Sequence, residues 1–384
     1  MSVVSTGPVS TRGVGLAIPL GLGREEVVDR WVAGHRALFA HDFGFDGLDK
    51  QQVARVPNFN ARKQLPDRKA VKLMSREAQL LVYAAVDAAS VDACGVLGVP
   101  PERFGAFAAA GYEVTPLHEV LDMFRASRDP GNPGALSLER LFAEGRHAYN
   151  PLSPLKTLPN MALYHAAITL GLRGPHQALG SSPASGLAAL AAGVDALNDG
   201  RADAALVGGT DAQVEHFRIH YLQEIGATGA APAEGAAAVI LGPDAPGVAI
   251  AAVGLGQEPV AGLEVASHYG QVCDEGAARE ALYAQTLAAA AAVGAPAPGI
   301  AILDLWRLPD RDAHERRAAS AALGDRKLEV FGTRARFGQL GAAHGLTDVA
   351  LAISLIEGGE ADSVLVTASG PAGDLGAAVV WGRM

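Results

Sequence analysis

Residues 179–212 read "LGSSPASGLAALAAGVDALNDGRADAALVGGTDA". The stretch predicts a strand end, a tight elbow, an apolar helix closed by Gly200, and a buried strand. An elbow at a helix N-terminus is a common place for a catalytic nucleophile. Here the bend carries Pro183, which offers neither a nucleophile nor a backbone N–H.

The unit occurs twice. "GLAALAAGVDALNDGRADAALVGG" from Gly186 aligns without a gap with "GLTDVALAISLIEGGEADSVLVTA" from Gly345. Gly200 meets Gly359, Ala202-Asp203 meets Ala361-Asp362, and Leu206-Val207 meets Leu365-Val366. A second pair precedes these. "SREAQLLVYAAVDAAS" (75–90) leads to "FGAFAAAG" (104–111), and "AAREALYAQTLAAAAAV" (277–293) leads to "GIAILDL" (299–305). Short apolar strands alternating with helices belong to parallel sheets covered on their faces. Two duplicated βαβ halves, 1–245 and 246–384, are expected to pack as one five-layered αβαβα unit. The two glycine-led helices would then start side by side, with Pro183 near "RARFGQLGAAHG" (334–345).

The composition suits such a protein: 384 residues, 49% hydrophobic and 19% charged. The net charge of −10 argues against a general nucleic-acid-binding role. Cys94 and Cys273 are the only cysteines, too few for a disulfide framework or a zinc spacing, and they read as incidental thiols. "MSVVSTGPVSTRGVG" (1–15) lacks a basic segment followed by an apolar core, so no secretory leader is expected. "LAAAAAVGAPAPGIAIL" (287–303) is broken by Gly and Pro and too short to span a membrane. The expectation is a cytoplasmic protein without a membrane segment.

Five further stretches, in this order, carry a family resemblance. They are "VARVPNFNARKQLPDRKAVKLMSREAQLLVYAAVDAA" (53–89), "LKTLPNMALYHAAITLGLRGP" (155–175), "GRADAALVGGTDA" (200–212), "APAEGAAAVIL" (231–241) and "SGPAGDLGAAVVW" (369–381). With these the chain resembles the β-ketoacyl synthases of the thiolase-like superfamily. The resemblance implies that fold, and a chemistry of a Cys nucleophile, two histidines and an oxyanion hole. It implies no cofactor. Matched to the family's motifs, the nucleophile position is Pro183 and the two histidine positions are Asp304 and Gln339. The family's lysine falls on Arg334 and its following acid on Asp348. The two oxyanion donors fall on Pro183 and Pro371, and proline has no N–H to give. The implied function is a catalytically silent homologue like the chain-length-factor subunits of type II fatty-acid or polyketide systems. Its implied partners are an active ketosynthase subunit and an acyl carrier protein, in a homodimer or heterodimer built on the strand ending near Gln177–Gly180. Two alternatives stay open: an acyltransferase or thioester hydrolase, and a self-dimerising acyl-binding scaffold.

The hydrolase alternative needs Ser182 or Ser185 as nucleophile and His344 as base. The same serines, with Ser181, also read as helix caps beside a proline in the first turn. "HFRIHYLQE" sets His216, His220 and Glu224 on one helical face, but without a Glu after His216 it is not the metalloprotease motif, and a polar face rather than a metal site is expected. Arg62, Lys63, Arg68, Lys69, Lys72 and Arg76 stand against one acid, Asp67. They read either as a solvated face or as a docking patch for an acidic carrier. "GATGAAPAEG" (226–235) reads as a flexible surface loop, in a segment shorter than the family usually has.

Overall fold

The computed structural model describes residues 3–42, 51–90, 98–112, residue 115, 117–132, 134–224, 229–243, 246–259, 276–324 and 329–383. Its spine is β1 (Val3–Ile18), followed by α1 (Arg76–Ser90), β2 (Phe104–Ala110), α2 (Met161–Leu170), β3 (His176–Leu179), α3 (Ser185–Asn198), β4 (Ala204–Ala212), α4 (His216–Glu224) and β5 (Glu234–Gly242). A second run comprises β6 (Gly247–Gln257), α5 (Ala277–Ala292), β7 (Ile300–Ile302), α6 (Pro309–Leu323), β8 (Glu329–Phe331), α7 (His344–Glu357), β9 (Ser363–Ser369) and β10 (Asp374–Arg383).

The strands hydrogen-bond in the order β8-β7-β9-β10-β6-β1-β5-β4-β2-β3. Outward from the β1–β6 pair, both arms run first, fifth, fourth, second, third, with antiparallel inner and parallel outer pairings. The internal duplication is thus expressed as repeated topology. β1 shifts register between Thr6 and Val9 and again between Thr11 and Gly13. Such bulges bend a strand, and the two arms close around α3 and α7, each of which packs on strands of both. α1 and α2 cover the outer face of one arm, and α5 and α6 that of the other. This is the expected five-layered α/β arrangement. Among the described residues no helix is long and apolar enough to cross a membrane.

The aligned glycines explain themselves in the middle layer. A Cβ on Gly186 would lie 2.9 Å from the Leu346 nitrogen, and one on Gly345 2.9 Å from the Pro183 carbonyl oxygen. The two helices therefore touch backbone to backbone where they begin, and Gly345 N–H donates to the Pro183 carbonyl at 3.3 Å. Gly200 and Gly359 both adopt φ near the left-handed helical value, +66° and +76°, as residues that close a helix do.

One expectation is corrected. The part of "GATGAAPAEG" within the described residues is not a surface loop: Ala230, Ala231 and Ala233 are buried. Pro232 bridges to Gln339 and Ala233 to Ala54, so the segment is a buried strap that satisfies its backbone groups against neighbouring chain.

Candidate functional site

The elbow between β3 and α3 is tied by its own serines. Ser182 N–H donates to Ser185 Oγ at 3.0 Å, and Ala184 N–H donates to Ser182 Oγ at 3.2 Å. These bonds close the turn that leads into α3, whose N-cap residue is Ala184 and which has no side-chain cap. The Ser182 hydroxyl then donates to Asp374 Oδ2, a partner 192 residues away at the start of β10. Asp374 is half-buried, and burial raises its pKa against the opposing Ser182 hydrogen bond.

Asp304 follows β7, while Arg334 and Gln339 follow β8. The fold brings all three together out of solvent. Arg334 Nε donates to Asp304 Oδ1 at 3.0 Å, its Nη2 donates to the same oxygen, and its Nη1 donates to Gln339 Oε1. Asp304 Oδ2 accepts from Trp306 Nε1 at 2.9 Å and from Ser369 N–H at 2.7 Å. The Arg334 guanidinium lies 3.9 Å from the centroid of the Trp306 ring. Burial alone would raise the Asp304 pKa, but the Arg334 charge, aided by His344, Arg311 and Ser369, holds it well below the usual carboxylate range. Behind Asp304 the network continues through Thr367 to Glu315, Arg279 and Glu258, all buried.

His344 begins α7 and is wholly buried. Leu340 N–H donates to its Nδ1, so the neutral ring carries its proton on Nε2, 3.1 Å from Thr333 Oγ1 and 3.5 Å from Asp348 Oδ2. Burial, then the Arg334 charge, pushes the His344 pKa well below normal, and burial pushes Asp348 well above. No hydrogen bond joins His344 to Ser182 or Ser185; Ser182 faces Asp374 instead. The histidine is consumed on the buried side of α7.

A cavity of about 520 Å³ opens in front of these groups. Pro183, Gln339, Pro371, Trp306, Ser182 and Asp374 stand on its wall. The positions matched to the nucleophile, one histidine and both oxyanion donors therefore share one space, with Asp304 directly behind Trp306. Sequence reasoning missed Trp306, Asp374 and the pair Asp211–Arg218, in which Arg218 Nη2 lies 3.0 Å from Asp211 Oδ1. Asp211, Arg218 and Asp374 sit inside quoted stretches and Trp306 just beyond one, but no local pattern announces a partner as distant as Ser182 is for Asp374, 192 residues away.

Of the basic stretch, Arg62, Lys63, Arg68, Lys69 and Lys72 are exposed. Arg76 is not part of that face. It forms an ion pair with buried Glu234 at 2.6 Å and lies 4.7 Å over the Phe59 ring, because a buried carboxylate requires a cation. His216 and His220 fall on α4; among the described residues no group of three His, Cys, Asp or Glu could hold a metal. Cys94 and Cys273 lie outside the described residues.

Comparison with known proteins identifies relatives of the chain and of its fold. Nodulation protein E of Rhizobium leguminosarum bv. trifolii is 37% identical over 93 residues, 23% of each chain. The 3-oxoacyl-[acyl-carrier-protein] synthase 2 of Staphylococcus aureus (strain N315) is 23% identical over 187 residues, 46% of this chain and 41% of that one. The matches thus span less than half the length of these relatives. A ketosynthase in complex with its chain length factor, from Xenorhabdus doucetiae, superposes with a TM-score of 0.79 at 14% identity, covering 98% of both chains, and shares the fold. The β-ketoacyl synthase N-terminal domain matches residues 8–245, well over half of the sequence, and with the duplicated sheet around paired helices this places the chain in the β-ketoacyl synthase family.

Proposed function

We propose that the chain is a non-catalytic β-ketoacyl synthase homologue, a chain-length-factor-like partner of an active ketosynthase in type II fatty-acid or polyketide synthesis. The observation that carries this reading is the Asp304–Arg334–Gln339 network beside Pro183. Where proton-shuttling imidazoles are expected, there is a carboxylate held ionised, Asp304, and an amide that does not titrate, Gln339, both bound to the Arg334 guanidinium at the lysine position. Pro183 and Pro371 add no oxyanion donors, and loss of one such donor elsewhere costs about two to three orders of magnitude in rate. On this reading 1–245 and 246–384 are halves of one unit in the cytoplasm. β3, the last strand of its arm, pairs through its free edge with the partner subunit, and the exposed Arg62–Lys72 face meets an acidic carrier protein.

The test is incorporation of radiolabelled malonyl extender. The purified chain, and its Pro183→Cys variant, are expected to give no product above an enzyme-free control. Product from either overturns the reading. A second reading, hydrolysis at Ser182, is favoured by its hydroxyl donating to Asp374 on the cavity wall. It requires acyl-thioester turnover by the isolated chain that is lost in Ser182→Ala.

A further inference from the structure

We draw no further inference here: the strongest candidate, the run of exposed apolar side chains between β2 and α2 with Phe124, Leu138, Phe142 and Leu155 among them, carries nothing because nothing in the structure shows what covers it.

Discussion

Burial depresses the pKa of His344 and raises that of Asp348. The two shifts act on stability in opposite senses. A depressed histidine makes stability rise with pH up to its unfolded value, about 6.5, and a raised carboxyl makes it fall as pH rises above its unfolded value, about 4. Asp348→Asn removes the second contribution, so the variant's stability should rise more steeply with pH below about 6.5 than the wild type's, by at most about 1.4 kcal/mol per pH unit. Denaturant unfolding at a series of pH values checks the difference; parallel curves refute it. Residue identities alone could not give these shifts. The sequence names His344 and Asp348, but the direction of each shift follows from complete burial, for His344 beside the Arg334 charge.

At the scale of elements, close packing of α1 on β1 depends on the absence of a side chain. A Cβ on Gly15 would fall 2.0 Å from the Ala84 carbonyl oxygen, a backbone atom that cannot move without displacing the helix. Gly15→Ala is therefore expected to destabilise the protein by about 1–3 kcal/mol or more, read as a lower midpoint in thermal unfolding; an unchanged midpoint refutes the packing argument. The short turns before α1 carry the exposed cations. Lys69→Glu with Lys72→Glu should weaken association with carrier protein, more at low than at high ionic strength, because exposed charges are screened within about 10 Å at 0.1 M salt. Folding should change little, since exposed charge pairs contribute at most about 1 kcal/mol each. Surface-resonance binding at two salt concentrations measures this, and identical binding by variant and wild type would mark the face as merely solvated. Arg76 shows the limit of reading such a run by composition, because its partner Glu234 is 158 residues away.

For the whole molecule, the sheet ends at β3, whose outer edge has no neighbouring strand among the described residues. Gln177 and Ala178 on it are exposed, and Tyr164 of α2 stacks beside His176 with ring centroids 6.5 Å apart. An open edge of this kind invites pairing with another chain. Light scattering is expected to give a dimer for the chain alone and a heterodimer once an active ketosynthase is added. A stable monomer under both conditions refutes this.

The sequence by itself determined the fold. Helix and strand periodicity, the glycines that close helices, and the gapless repeat are local signals, and two copies of one local pattern must pack as related halves. It also determined that Pro183 and Pro371 lack N–H groups, which is a covalent fact. Only the tertiary structure decided what surrounds them. Ser182 meets Asp374 rather than His344, Arg76 turns inward to Glu234, and Asp304 is locked to Arg334 and Gln339. A charge removed from water must find a partner wherever the fold places one, and that partner is set by proximity in space, which spacing along the chain does not encode.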